Sequence, residues 1–306
     1  MKKFKNFLKK NLRFIIILIV AIIITSMVSV YAAYSYLSTD VSYTKADGTT
    51  VSVADALNEL YKNKSSSSTG TTTSSIEVST KINYVGSYAD VDKDGNVDGI
   101  IFADLAFGKS GQWGSYDSGK YSYSAVTSGL KTYNISQLAY NDSIWGTHAV
   151  ISPASGTNGT DRFYIMTLTD YESTGCYWYK SAYGKMSDYS SYTSTAFGKG
   201  KENTTKMITK WNASGYGTQD AGDLWGKVQT ASNANWFIPS SGEWGAIASN
   251  LGITSSNYSS TYKLKNDYWS SSQYGTLSAW GTLFSNGHMT NYSVDRTTYV
   301  RLAATF

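Results

Sequence analysis

The chain has 306 residues, of which 16% are charged and 15% aromatic, with 26 Tyr and 9 Trp and a formal net charge of +4. Soluble domains usually carry about a quarter charged residues, so this balance argues against an ordinary cytosolic enzyme and toward a contact surface in which Tyr supplies area and Ser, Asn and Gly adjust hydrogen bonds. Lys2, Lys3, Lys5, Lys9, Lys10 and Arg13 crowd the start without an acid; the remainder is slightly acidic, so nucleic acid is not an expected partner, and the lone Cys176 excludes an intrachain disulfide or a cysteine metal cluster.

Residues 1–13 read as a basic cytoplasmic segment. Residues 14–35 form an uncharged, Ile-dense run, long enough for a transmembrane helix with the lysines inside. Val30-Tyr31-Ala32 resembles a signal-peptidase site, so a signal peptide cleaved after Ala32, giving a secreted protein, is the alternative. The length of the run favours a retained anchor in the cytoplasmic membrane, with the C-terminal domain outside at the cell surface. Export without disulfides fits a bacterium. Residues 36–64 are a short stalk module: Val41–Thr44 reads as extended, Asp47-Gly48 as a turn, and Val53, Ala56, Leu57, Leu60 and Tyr61 share a helical face through which the stalk can oligomerise. Residues 65–75, all Ser, Thr and Gly, read as a flexible linker.

Residues 76–110 read as strands around an acidic loop, with Ile82–Ser87 before it and Gly99–Leu105 after. Asp90, Asp92, Asp94, Asn96 and Asp98 place oxygens at alternate positions, and Gly95 permits the turn. That pattern suits a hard cation such as Ca2+ in a structural role. It departs from a helix-flanked calcium loop at Ile101, where a bidentate Glu would stand. An acidic Asp/Gly turn without a cation is the simpler alternative.

Residues 111–306 read as one ligand-binding domain. Strand-like aromatic segments include Arg162–Leu168 and Cys176–Tyr179. Two helices are expected. Residues 201–212 put Met207, Ile208 and Trp211 on one face. Ser240 and Glu243 form a capping box before Trp244, Ile247, Ala248 and Leu251, and Gly252 ends that helix. The expected class is therefore α+β.

Trp236–Trp244, Tyr268–Gln273, Ala279, Trp280, Phe284, Gly287, Val300–Leu302 and the terminal Thr305-Phe306 together resemble the C-terminal signature of C-type-lectin-like domains of the formylglycine-generating-enzyme type. That group includes bacterial adhesin domains such as the C-terminal domain of the Legionella collagen-like protein, and the variable proteins of diversity-generating retroelements. The resemblance spans roughly residues 160–306. It implies a C-type-lectin-like head domain on an N-terminal transmembrane anchor with short stalk and flexible linker, binding a protein or glycan ligand on another cell, phage or host surface.

In the variable proteins, adenines of AAC and AAT codons are randomised, which cannot produce Lys, Glu, Gln, Met or Trp. Residues 274–299 contain no Lys, Glu or Gln, and only Trp280 and Met289 belong to the excluded types. Within a variable region at 268–306, the resemblance implies a fixed scaffold of Trp269–Gln273, Ala279, Trp280, Phe284, Gly287 and Val300–Leu302. The candidate variable, ligand-binding positions are Tyr274, Thr276, Leu277, Ser278, Gly281, Thr282, Asn286, His288, Thr290, Asn291, Tyr292, Ser293, Asp295, Arg296, Thr297 and Thr298. An ordinary polar loop region, or a fixed-specificity glycan-binding lectin-like adhesin stacking sugars on Tyr274, Trp280 and Tyr292, is the alternative.

Catalysis is not expected. The related enzymes use paired cysteines, and this chain has one. His148 and His288 show no nucleophile pattern, and Glu243, Asp220 and Asp223 are accounted for by helix starts. Arg301, between apolar strand neighbours, is expected to pair with an internal carboxylate or carbonyl.

Overall fold

A computed structural model describes residues 76–180, 192–213 and 219–306, together with the backbone of 42–44 and 50–52. The basic segment 1–13, the apolar run 14–35, the helix expected at 53–61 and the linker 65–75 lie outside the described residues. The chain divides into two units, Met1–Ser74 and Ser75–Phe306. Of the first, β1 (Ser42–Thr44) and β2 (Thr50–Ser52) pair antiparallel, with Tyr43 opposite Val51.

The second unit is built on a seven-stranded mixed sheet. Its strands are β3 (Ile76–Glu77), β4 (Tyr88–Ala89), β5 (Gly99–Asp104), β8 (Tyr133–Asp142), β9 (Gly146–Pro153), β10 (Phe163–Thr167) and β16 (Ala303–Thr305), in the order β16-β10-β5-β4-β9-β8-β3. Neighbours run antiparallel except β4 and β9, which pair in parallel. Every residue of β5 is buried, as a strand covered on both faces requires. Ile100 and Phe102 enter one core, and Ile101 enters the opposite one with Ile151, Phe163, Ile165 and Phe306. The segment Ile82–Ser87, expected to be a strand, is irregular with a turn at Val85-Gly86, and the pairing falls to the shorter β4.

Between β5 and β8 a ribbon of β6 (Lys109–Gln112) and β7 (Lys120–Tyr123) folds back on itself. β11 (Glu172–Tyr177) pairs with β15 (Thr297–Val300). Four helices follow β11 among the described residues: α1 (Gly200–Asn212), α2 (Leu224–Lys227), α3 (Gln229–Asn233) and α4 (Ser241–Asn250). α4 starts where the Ser240/Glu243 capping box predicts, with both reciprocal hydrogen bonds present. Its Trp244, Ala246, Ile247 and Ala248 are buried against Phe102, Met166, Tyr268 and Phe284. α1 buries Met207 beside Trp178, Trp225 and Trp269. Fully burying one large side chain is worth roughly 1.5–3 kcal/mol, so these tryptophans dominate the second core.

Two expectations are corrected. The described residues are mostly β-sheet with few helices, so the α+β class gives way to a mainly β architecture. The two helical patterns at 201–212 and 240–251 are real but short, whereas the aromatic and β-branched segments around them supply far more of the chain. Likewise, no helix among the described residues is long and apolar enough to cross a membrane. The membrane-anchored, cell-surface placement therefore has no structural support.

Candidate functional site

The C-terminal region forms a three-stranded antiparallel sheet of β12 (Trp269–Gly275), β13 (Ser278–Leu283) and β14 (His288–Ser293). Its inner face is buried. Trp269, Ala279 and Tyr292 join the core around Trp178 and Trp225. Indole N–H groups lock the rib in place: Trp269 donates to the Cys176 carbonyl at 2.8 Å, Trp178 to Ser270 at 2.9 Å and Trp244 to Trp269 at 3.0 Å. Ser270, Ser271 and Ser272 are all buried. Their hydroxyls are used: Ser270 donates to the Trp280 carbonyl and Ser272 to that of Ser194, while Ser271 accepts from the Asn203 amide. A buried hydroxyl left unpaired would cost about 1–3 kcal/mol, which explains why so polar a strand can sit inside.

The outer face is open only toward the β12–β13 turn: farther along it Thr282 and Met289 are buried, and Trp280 packs against the core that holds Trp244 and Phe284. Cross-strand pairing places Ser278 opposite Ser293 and Trp280 opposite Asn291. Tyr274 is 54% exposed and Leu277, in the Thr276-Leu277 turn joining β12 to β13, is 46% exposed. The Tyr274 ring stands edge-on to half-buried Trp280 at 4.8 Å. Ser293 and Asn291 are exposed and Ser278 is half-buried. Tyr116, 56% exposed, meets the half-buried His288 edge-on at 4.9 Å. It belongs to the strand connection before β7, and no sequence signal ties it to the C-terminal region.

The candidate variable positions thus divide. Tyr274, Thr276, Leu277, Asn286, Asn291, Ser293, Asp295, Arg296 and Thr297 are exposed or nearly so, and Ser278, His288 and Thr290 are half-buried. Gly281, Thr282, Tyr292 and Thr298 are buried. Tyr292 donates to Asp267 at 2.6 Å and to the Thr282 carbonyl at 2.9 Å. Burial and then the Asp267 carboxylate hold its phenol above the ordinary range. Arg296 caps this arrangement, its guanidinium 4.0 Å above the Tyr292 ring and 2.5 Å from Asp267. Thr282 accepts the Tyr268 N–H at 2.8 Å. A Cβ on Gly281 would stand 2.7 Å from the Tyr268 carbonyl oxygen. Gly281, Thr282 and Tyr292 are thus part of the sheet's packing, and Thr298 is buried in β15 opposite Cys176.

Arg301 bonds Asp170 through Nε at 3.1 Å and Nη2 at 2.6 Å, and the Thr167 and Leu168 carbonyls through Nη1. It ties the last strands to β10's exit. A cleft of about 420 Å³ lies elsewhere, beside Thr80, Ser128, Tyr133 and Arg162. Arg162, which lines it, is buried and paired with Asp104 at 2.7 Å.

The histidines and carboxylates weighed for catalysis have structural partners. His148 bonds the Trp145 carbonyl and His288 contacts that of Asn286. Asp223 is buried and accepts from Lys180 N–H, Asp220 N–H and the Trp211 indole. Asp220 bonds its neighbour Gly222. Glu243 accepts from Ser240, Gly198 and Gly200 N–H groups.

The acidic loop closes the β4–β5 hairpin. Asp90, Asp92 and Asp98 each offer a carboxylate oxygen, all within 4.8 Å of one another, which makes a cluster able to hold a metal ion. Asp90 is buried, Asp98 half-buried and Asp92 exposed. Asp90 Oδ2 accepts the Gly95 N–H at 3.2 Å, and Asp98 Oδ2 the Val91 N–H at 2.6 Å. Asp90 Oδ1 is buried and meets no hydrogen-bond partner. Burial, and then the neighbouring carboxylates, raise the pKa of both Asp90 and Asp98. Asp94 and Asn96 are exposed and bond each other, with the Asn96 amide holding the Asp94 pKa down; the Asp94 carboxylate is not one of the three that converge. Gly95 takes a positive φ of 89° and Lys93 one of 65°, the turn the pattern requires.

Comparison with known proteins returns no matching family model, no matching curated protein and no matching solved structure.

Proposed function

We propose that this protein is a binding protein rather than an enzyme, and that its contact surface is the outer face of β12–β14. The observation that carries this is the one exposed end of a sheet that is otherwise packed on both faces. Trp269, Ala279 and Tyr292 on one face and Thr282 and Met289 on the other are buried, while Tyr274, Leu277 and part of Trp280 reach solvent beside Ser278, Asn291 and Ser293. Aromatic anchors amid small polar residues are the composition of adaptable binding surfaces. The face is a sheet surface rather than a pocket, which fits a protein or an extended glycan. The resemblance to variable proteins of diversity-generating retroelements makes this face the diversified one; a fixed-specificity glycan-binding lectin-like adhesin is the runner-up.

Amplicon sequencing of the codons for residues 260–306 in natural populations carrying the gene tests it. Diversification predicts substitutions at adenine-derived codons for Tyr274, Thr276, Leu277, Ser278, Asn291 and Ser293, with Trp269, Gly281, Thr282, Tyr292 and Thr298 constant. Uniform codons, or changes scattered without regard to burial, would refute diversification.

A second reading concerns the Asp90 loop. We infer that the ion it holds is Ca2+. Three convergent carboxylates on a tight loop suit a cation that takes about six to eight oxygen ligands in loose geometry, and Mg2+ demands a stricter octahedron. The support is the buried, unpartnered Asp90 Oδ1: an orphaned carboxylate oxygen is costly unless a cation meets it. Calorimetric titration with Ca2+ should give saturable binding that Mg2+ does not match, and absence of heat with either ion would remove the reading.

A further inference from the structure

The acidic loop sits at a mechanical weak point. β4 is only Tyr88–Ala89, yet it is the central strand of the seven. On one side β5, β10 and β16 are joined through antiparallel pairs; on the other, β9, β8 and β3 are reached only across β4 within this sheet. The β4–β9 seam consists of Tyr88 opposite Val150 and Ala89 opposite Ile151, prolonged by the Asp90 N–H donating to the Ile151 carbonyl at 2.9 Å. On the other edge of the loop, the Asp98 N–H donates to the Ala89 carbonyl at 2.8 Å. Asp90 and Asp98, two members of the carboxylate cluster, are therefore also the residues whose backbones finish the seam and the hairpin.

So short a strand holds its place weakly on its own. Four carboxylates packed into nine residues, at Asp90, Asp92, Asp94 and Asp98, repel one another, and a cation drawn among them offsets that repulsion at the residue that completes the seam. The β8–β9 hairpin has some other ties. Tyr88 Oη donates to the Gly146 carbonyl at 2.6 Å, the Tyr88 and Tyr140 rings meet at 4.9 Å, and Trp145 stacks on Tyr262 at 4.8 Å. The first two depend on Tyr88 and so on the same two-residue strand. The base of the hairpin is tied to β10 independently, Tyr133 Oη accepting the Arg162 N–H at 3.0 Å and its ring meeting Phe163 at 4.8 Å and Phe306 at 5.3 Å, so it is the tip of the hairpin that relies on β4.

We propose that a divalent cation held by Asp90, Asp92 and Asp98 locks β4 into the sheet, so that its occupancy controls how firmly the β8–β9 hairpin is attached to the rest of the domain. This rests on the calcium reading of the loop and adds what the ion does. A cation bound only to the closed loop lowers the population of openings that release it by the factor 1 + [L]/Kd. Amides whose exchange needs such an opening should slow by that factor.

Hydrogen exchange on the full chain, in Ca2+ at ten times the calorimetric Kd and again in chelator, tests the proposal. Peptides covering residues 88–98 and residues 146–153 should both exchange about tenfold more slowly with Ca2+, while those covering β12 stay unchanged. Protection confined to residues 90–98 would overturn the locking role and leave the calcium reading standing. No protection anywhere, together with no heat of binding, would overturn both. Asp98→Asn keeps an oxygen for the Val91 N–H but removes one charge, so at that Ca2+ concentration the hairpin should exchange as the wild type does in chelator. Should that variant fail to fold, the comparison of wild type with and without Ca2+ decides the matter alone.

Discussion

Glu243 offers the sharpest test of how the helical layer is held. Its carboxylate is fully buried, with no cation beside it among the described residues, and takes N–H groups from Ser240 at 2.6 Å, Gly198 at 3.1 Å and Gly200 at 3.3 Å. It thereby ties the start of α4 to the start of α1. Burial pushes its pKa up from 4.5 to about 7, against the downward pull of those N–H donors. A carboxyl whose folded pKa is raised binds more protons when folded than when unfolded. Its contribution to stability is therefore complete below pH 4.5 and is lost as pH rises through about 7. A tenfold change in proton affinity is worth about 1.4 kcal/mol, so the loss across that window is roughly 3 kcal/mol. Glu243→Gln cannot titrate. The difference in unfolding free energy, wild type minus variant, should fall by roughly 3 kcal/mol between about pH 4.5 and 7.5, a change of about 1 M in urea midpoint for an m-value near 3 kcal/mol/M. Urea melts followed by far-ultraviolet circular dichroism at half-unit pH steps measure it. A difference flat over that range would refute the reasoning. A difference that rises with pH would mean that the two helix N-termini hold the carboxylate ionised.

Three other outcomes follow from the packing. Asp104 accepts both Nε and Nη2 of the buried Arg162, along with the Tyr84 and Ala106 N–H groups. Asp104→Asn should cost about 3–5 kcal/mol in chemical denaturation, because it strands a buried guanidinium. Gly281→Ala should cost about 1–3 kcal/mol, since its Cβ meets the Tyr268 carbonyl oxygen and the Tyr292 ring; a neutral effect would return Gly281 to the variable set. The Cys176 thiol is buried and pushed up to about 12, so a disulfide reagent at about pH 8 should leave it untouched in the native protein and titrate it fully in denaturant.

Local signals carry much of the helical layer. The Ser240/Glu243 box places the start of α4 at Ser241, because a capping box is a contact between residues three apart and needs nothing from the rest of the chain. Asp90, Asp92 and Asp98 are legible as a cluster for the same reason: a loop closing on itself brings alternate positions together, whereas Asp94 and Asn96 turn outward to bond each other. The alternation within β13 also marks Ala279 as inward, with Trp280 on the opposite side of the strand.

What tertiary structure decided is which polar residues disappear inside. Thr282, Tyr292 and Thr298 read as the same Tyr/Thr/Ser surface as Thr290 and Ser293. They are buried because Tyr268, Asp267 and strand β11 pack against them from segments more than ten residues away in sequence or on another strand. The balance of sheet over helix was likewise decided by pairing between distant strands such as β10 with β16 and β4 with β9, for which a linear pattern holds no partner. A residue's own chemistry sets whether it can form a cap or a turn. Whether it faces solvent depends on what the rest of the chain lays over it, and that is absent from any local window of the sequence.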